Sequence, residues 1–126
     1  MVTNELRIGN RIKSYVGLIG SVYSLNKESL RIKFDNIADV HSFNIIDVNP
    51  VELSVEIIEK LPLKINWIEK SYRGKYAEFT IYNLLTLYYF TDNNTIEFHG
   101  VSKKLNYVHE LQNLYYAIFG ADFNCL

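Results

Sequence analysis

On the stretch "YVHELQNLYYAIFG" (residues 107–120), His109, Gln112, Asn113 and Tyr116 recur at helical spacing. His109 with Asn113, and Gln112 with Tyr116, are one turn apart on such a helix. An imidazole, two carboxamides and a phenol all donate or accept hydrogen bonds without carrying a formal charge. No carboxylate or nucleophile accompanies them, so the set lacks what acid–base or covalent catalysis requires. Two readings remain: an ordinary helix surface bonded to water or a neighbouring loop, and a contact patch for a protein partner. Solvated helix faces usually hold Lys and Glu, so the quartet stands as the candidate partner contact.

Other constellations are missing. His41, His99 and His109 sit on separate elements with no metal-ligand spacing, and Cys125 is the one cysteine, so neither a zinc pattern nor an internal disulfide is expected. Gly17-Leu18-Ile19-Gly20 lacks the phosphate-loop pattern and precedes a strand. Glu56 and Glu59 read as the solvated side of a short helix rather than an acid–base pair. Trp67, between Ile65 and Ile68, reads as core. No catalytic, metal-binding or cofactor-binding set emerges, and the expectation is a protein that is not an enzyme.

Charge offers one alternative. The formal net charge is −1, which excludes a global attraction to nucleic acid or acidic membrane. The opening third nevertheless gathers Arg7, Arg11, Lys13, Lys27, Arg31 and Lys33 against Glu5 and Glu28, and residues 34–60 are correspondingly acidic. A nucleic-acid contact through Arg7, Arg11, Lys13, Arg31 and Lys33, with Tyr15 and Tyr23 as stacking groups, is the competing hypothesis. "MVTNELRIGN" has no apolar core of signal-peptide length, and "LLTLYYF" (84–90) is too short to span a bilayer. A cytoplasmic protein without a membrane partner is expected.

Strands must position most of these groups. Ten tyrosines and seven phenylalanines in 126 residues favour half-buried sheet faces and contact surfaces. In "SLRIKF" (29–34), Leu30, Ile32 and Phe34 point one way and Arg31 and Lys33 the other. With "RIKSYV" (11–16), "GSVYSL" (20–25) and "HSFNIID" (41–47), it forms a set of short strands at roughly ten-residue spacing. Gly17 and Gly20 stand where such a sheet would bend. The layout predicts a small, curled SH3-like barrel of KOW or Tudor type over residues 1–50. Ser54 caps a short helix that Pro62 stops, giving a connecting segment over 51–62. Residues 63–126 predict an antiparallel meander (63–69, 76–82, 84–90, 95–100), with Asp92-Asn93-Asn94 as a turn.

The closing helix is predicted to pack on that second sheet. Tyr107, Val108, Leu111, Leu114, Tyr115, Ile118 and Phe119 share an arc of about 140°. Asn106 serves as its N-cap and Gly120 as its terminator. The fold class is therefore α+β, mostly β, forming one compact unit.

"NELRIGN" (4–10), "NPVELSVEIIEKL" (49–61) and "YVHELQNLYYAIFG" together resemble a group of small uncharacterised proteins of gut-bacterial phages and prophages. The group has an opening L-R-I-G-N element and a closing Y-V-H-x-L-Q-N-L-Y helix. Its entry to the middle helix is proline-rich and threonine-capped, where this chain has Val51 and Ser54. The resemblance implies a phage or mobile-element accessory protein in the cytoplasm of the bacterial host. It brings no activity or catalytic residues. Gly9, Asn10, Tyr107, His109, Leu111, Gln112, Asn113 and Tyr115 occupy the group's signature positions. The expectation from residues and resemblance together is a non-catalytic protein-interaction module, with an open sheet edge leaving room for a homodimer.

Overall fold

The computed structural model describes residues 6–81, 85–98 and 101–120, with side chains from Lys104 onward in the last stretch. Tyr82, Leu84, His99, Gly100 and Cys125, which the expectations above touch, lie outside the described residues. The chain divides into two units, one formed by the chain up to Val51 together with the stretch from Val108, the other by Glu52–Tyr107.

The first unit contains β1 (Arg11–Ser14), β2 (Ile19–Leu25), β3 (Ser29–Phe34), β4 (Val40–Asn44), a 3-10 turn (Ile45–Asp47), β5 (Val48–Pro50) and the closing helix, α2 (Val108–Phe119). Its sheet runs β4-β3-β2-β1-β5, with every neighbouring pair antiparallel. The alternation in β3 is realised: Leu30, Ile32 and Phe34 are buried, Arg31 and Lys33 exposed. They join Leu6, Ile12, Val22 and Val48 in one core. Burying Ile12 and Ile32 completely contributes roughly 1.5–3 kcal/mol each before entropy is counted. A register shift between Val22 and Ser24 marks a bulge, which adds twist to the sheet. Gly20 pairs with Phe34 of β3. A Cβ there would lie 2.6 Å from Ile32 Cγ2 and 2.7 Å from the Lys33 carbonyl oxygen. Among the described residues no ladder joins β4 to β5, so the pairing does not close into a barrel.

The second unit contains α1 (Val55–Glu59), β6 (Asn66–Ile68), β7 (Tyr76–Ile81), β8 (Leu85–Phe90), β9 (Thr95–Phe98) and β10 (Val101–Leu105). The Ile57 amide donates to Ser54 Oγ (3.3 Å), the predicted cap. The strands form a sequential antiparallel sheet, β10-β9-β8-β7-β6, with Ala77, Phe79, Ile81, Leu87, Tyr89 and Ile96 buried. Trp67, expected in the core, is half-buried, with Lys75 Nζ 4.5 Å above its ring centroid. Arg73 forks onto Asp92 (3.0 and 3.1 Å), reaches Glu97 (2.8 Å) and stacks 3.6 Å over Phe90. Those carboxylates raise its pKa, and its hydrogen bonds lower that of Asp92. Asn94 takes a left-handed φ of 54° in the 91–94 turn, as its short polar side chain allows.

The closing helix, which the sequence reading groups with the second-half sheet, falls in the first unit, where it contacts β1 and bonds the chain just before it. Residues 52–107 thus interrupt the first unit along the chain. Helical periodicity says which face is apolar but not which surface will receive it.

Candidate functional site

The buried face of α2 is not the one its apolar residues predict. Val108, His109, Leu111, Gln112 and Tyr115 are buried, whereas Ile118 is 46% exposed. The buried arc is thereby turned about 70° toward the polar quartet. Gln112 explains why the first unit favours this. The Arg11 amide, beyond the Pro50 end of β5, donates to Gln112 Oε1 (2.8 Å). Gln112 Nε2 donates to the Gly9 carbonyl (3.3 Å), so one carboxamide stands in for a missing ladder partner. Asn10 Nδ2 donates to Asn113 Oδ1 (2.9 Å), and the Arg7 amide donates to Asn10 Oδ1 (2.6 Å). The Arg7 guanidinium lies 3.6 Å over the Tyr116 ring. Gly9, at φ 94°, makes the turn that brings these groups to the helix.

Gln112, Asn113 and Tyr116 thus form an intramolecular clasp with residues 7–11. His109 and Gln112 are only 2% and 6% exposed, Asn113 is half-buried, and only Tyr116 reaches the surface substantially. The "LRIGN" and "YVHELQNLYY" segments are the two halves of this clasp, which supplies a structural reason for both. Of the four residues expected to contact a partner, Gln112, Asn113 and Tyr116 are engaged within the chain, and Tyr116 remains the most exposed.

The basic set fares differently. Arg11 is buried, donates to Ser21 Oγ (2.8 Å) and forks onto Asp35. Its hydrogen bonds hold the Asp35 carboxyl below the usual carboxylate range. Strand register sets Arg11 beside Ser21 and Ser21 beside Lys33, with Lys13 and Arg31 on the same sheet face. Arg31 Nε donates to Ser24 Oγ (2.8 Å) and its guanidinium lies 5.3 Å from the exposed Tyr23 ring. Lys33 Nζ donates to the Ile37 carbonyl (3.0 Å). Lys13, Arg31 and Lys33 therefore share a face, while Arg7 and Arg11 are engaged internally.

A feature that the residue pattern did not single out lies at one end of the first sheet. Ser14, Tyr15, Val16, Leu18, Phe34, Ile37, His41 and Phe43 line an open cavity of about 250 Å³. Its upper wall is the β1–β2 turn. The Ser14 amide donates to the Leu18 carbonyl (2.8 Å) and the Gly17 amide to the Ser14 carbonyl (2.9 Å), with Gly17 at φ 91°. That turn holds Tyr15, Val16 and Leu18 outward at 72%, 65% and 51% exposure. The floor is aromatic: Phe34 meets His41 and Phe43 at 5.8 Å between centroids, edge-on to Phe43. Ile37 closes the other side from the β3–β4 turn, where Asn36 has φ 63°. Turns are ordinarily polar, so three apolar side chains around Gly17, in "SYVGL", were the available signal.

Such a cavity offers dispersion and apolar burial, with Ser14, Tyr15 and His41 as its polar side chains. Among the described residues, no group of three His, Cys, Asp or Glu could hold a metal ion, and no helix is long and apolar enough to cross a membrane. Comparison with protein-family models, curated proteins and solved structures found no match.

Proposed function

We propose that this protein is a non-catalytic interaction module whose first unit receives a protein partner in the Tyr15–Leu18, Ile37 and Phe43 groove. The observation that carries the reading is the tied β1–β2 turn with its outward apolar side chains. Clustered exposed apolar groups on a soluble fold mark contact surfaces, and aromatic-floored pockets anchor partner side chains. We further read this unit as an SH3-like small barrel left open between β4 and β5. The β5-β1-β2-β3-β4 order and the 3-10 turn before β5 support that reading. The phage or mobile-element origin and host-cytoplasmic setting rest on the resemblance of the clasp segments.

Affinity capture from lysate of the source cell, with wild type, Leu18→Glu and the surface control Tyr72→Ser, tests the groove. Tyr72 is 99% exposed and lies in the second unit. A partner retained by wild type and the control but lost by Leu18→Glu supports the reading. Identical partner sets for all three contradict it.

The shared face of Lys13, Arg31 and Lys33 beside Tyr23 favours nucleic acid as the second reading. Its signature would be affinity that falls steeply with salt. Absence of binding to single- and double-stranded DNA and RNA at about 50 mM salt would remove it, because a phosphate-driven contact is strongest there.

A further inference from the structure

Sheet edges present backbone donors and acceptors to any strand that lies alongside. Soluble proteins blunt them with short strands, prolines or lysines. Among the described residues, three of the four edge strands carry such a device: β5 has three residues and ends at Pro50, β6 has three residues, and β10 includes Lys104. The fourth, β4, runs five residues as "VHSFN" with neither proline nor a Lys, Arg, Asp or Glu. Among the described residues, no strand pairs with its outer edge.

The two faces of β4 differ. His41 pairs with Ile32 and Phe43 with Leu30, which places both on the groove side. Val40 pairs with Lys33 and Ser42 with Arg31, on the basic side. A strand laid beside β4 would alternate between these surroundings, since successive side chains point to opposite faces. One set would meet Phe34, Ile37 and Phe43. The other would look across the small Ser42 toward Arg31 and Lys33. Arg11 is matched by Asp35, and Asp39 is the other acid of the β3–β4 turn, so Lys13, Arg31 and Lys33 leave this side with an excess of positive charge. A second copy of β4 would offer only Val40, Ser42 and Asn44 to that side.

We propose that β4 accepts, as an added strand, an extended segment of a partner protein in which apolar side chains alternate with acidic ones. The apolar positions enter the groove, and the acidic positions face Arg31 and Lys33. Backbone pairing supplies affinity, and the two faces select the sequence. This rests on the groove being an interaction site and names what enters it.

The test uses the full chain and a short fluorescent peptide alternating glutamate with phenylalanine. Two control peptides carry lysine in place of glutamate, or the same residues in block order. Anisotropy should show the alternating acidic peptide binding at least about tenfold tighter than either control. Leu18→Glu should abolish binding, Lys33→Glu should reverse the preference between acidic and basic peptides, and amide exchange in β4 should slow when peptide is bound. Equal binding of the block-order peptide, or unchanged β4 exchange with peptide bound, overturns the added strand while leaving the groove reading intact. Concentration-dependent protection of β4 without peptide, with a dimer in sedimentation equilibrium, overturns the choice of occupant. No binding of any peptide to the folded wild type also overturns the inference, and the lysate comparison then judges the groove independently.

Discussion

Replacing Gln112 with Met keeps the side chain's length and removes both of its hydrogen bonds to the start of β1. The Arg11 amide loses a 2.8 Å acceptor and the Gly9 carbonyl a 3.3 Å donor. Gln112 is buried, so water does not readily replace it. An unsatisfied buried polar group costs about 1–3 kcal/mol. The short Arg11 bond belongs at the upper end and the longer Gly9 bond at the lower, giving about 2–4 kcal/mol for Gln112→Met. Asn113→Ala removes one half-buried side-chain bond to Asn10 and should cost only about 0.5–1.5 kcal/mol. Amide exchange followed at Ile12 and Ile32 reads the first unit directly, with exchange at the Arg11 amide accelerated most. If Gln112→Met changes protection by less than about 0.5 kcal/mol, or Asn113→Ala proves the costlier, the clasp argument fails.

Other perturbations separate the structure from the sequence pattern. Leu111→Ala, at a fully buried position, should lose about 2–5 kcal/mol in urea unfolding, whereas Ile118→Ala should lose under about 1 kcal/mol. Gly20→Ala should lower the melting temperature, because its Cβ meets the Lys33 carbonyl oxygen at 2.7 Å and backbone cannot yield cheaply. The folded-state pKa of Asp35 is depressed by Arg11. Its contribution is therefore present above the unfolded carboxylate value of about 3.9 and lost as pH falls through the lower folded value. Urea melts at successive pH values should show wild type losing more stability on acidification than Asp35→Asn.

Much of the scaffold was legible because local rules decide it. The alternation of Leu30, Ile32 and Phe34, the Ser54 cap, the Asn94 turn and Gly120, at φ 66° after α2, each follow from a few neighbouring residues. β5 escaped because three residues ending in Pro50 give almost no pattern. β10 escaped because Lys103 and Lys104 interrupt its alternation. The fate of the polar quartet was not legible at all. Whether Gln112 meets water, a partner or the Arg11 amide depends on a pairing 101 residues apart along the chain. An apolar stripe including Leu114 and Ile118 pointed to a different buried face. The groove was hidden for a related reason. Its walls come from two turns and an edge strand, and Tyr15, Val16 and Leu18 look like ordinary strand residues until the turn at Gly17 is known.

The most direct measurement places a photoreactive benzophenone side chain at position 15 in one sample and at position 116 in another, then maps crosslinks formed with the captured partner. Crosslinking from position 15 and none from position 116 is the predicted result. Crosslinks from position 116 with position 15 silent would contradict the account, returning the contact to the polar face of the helix.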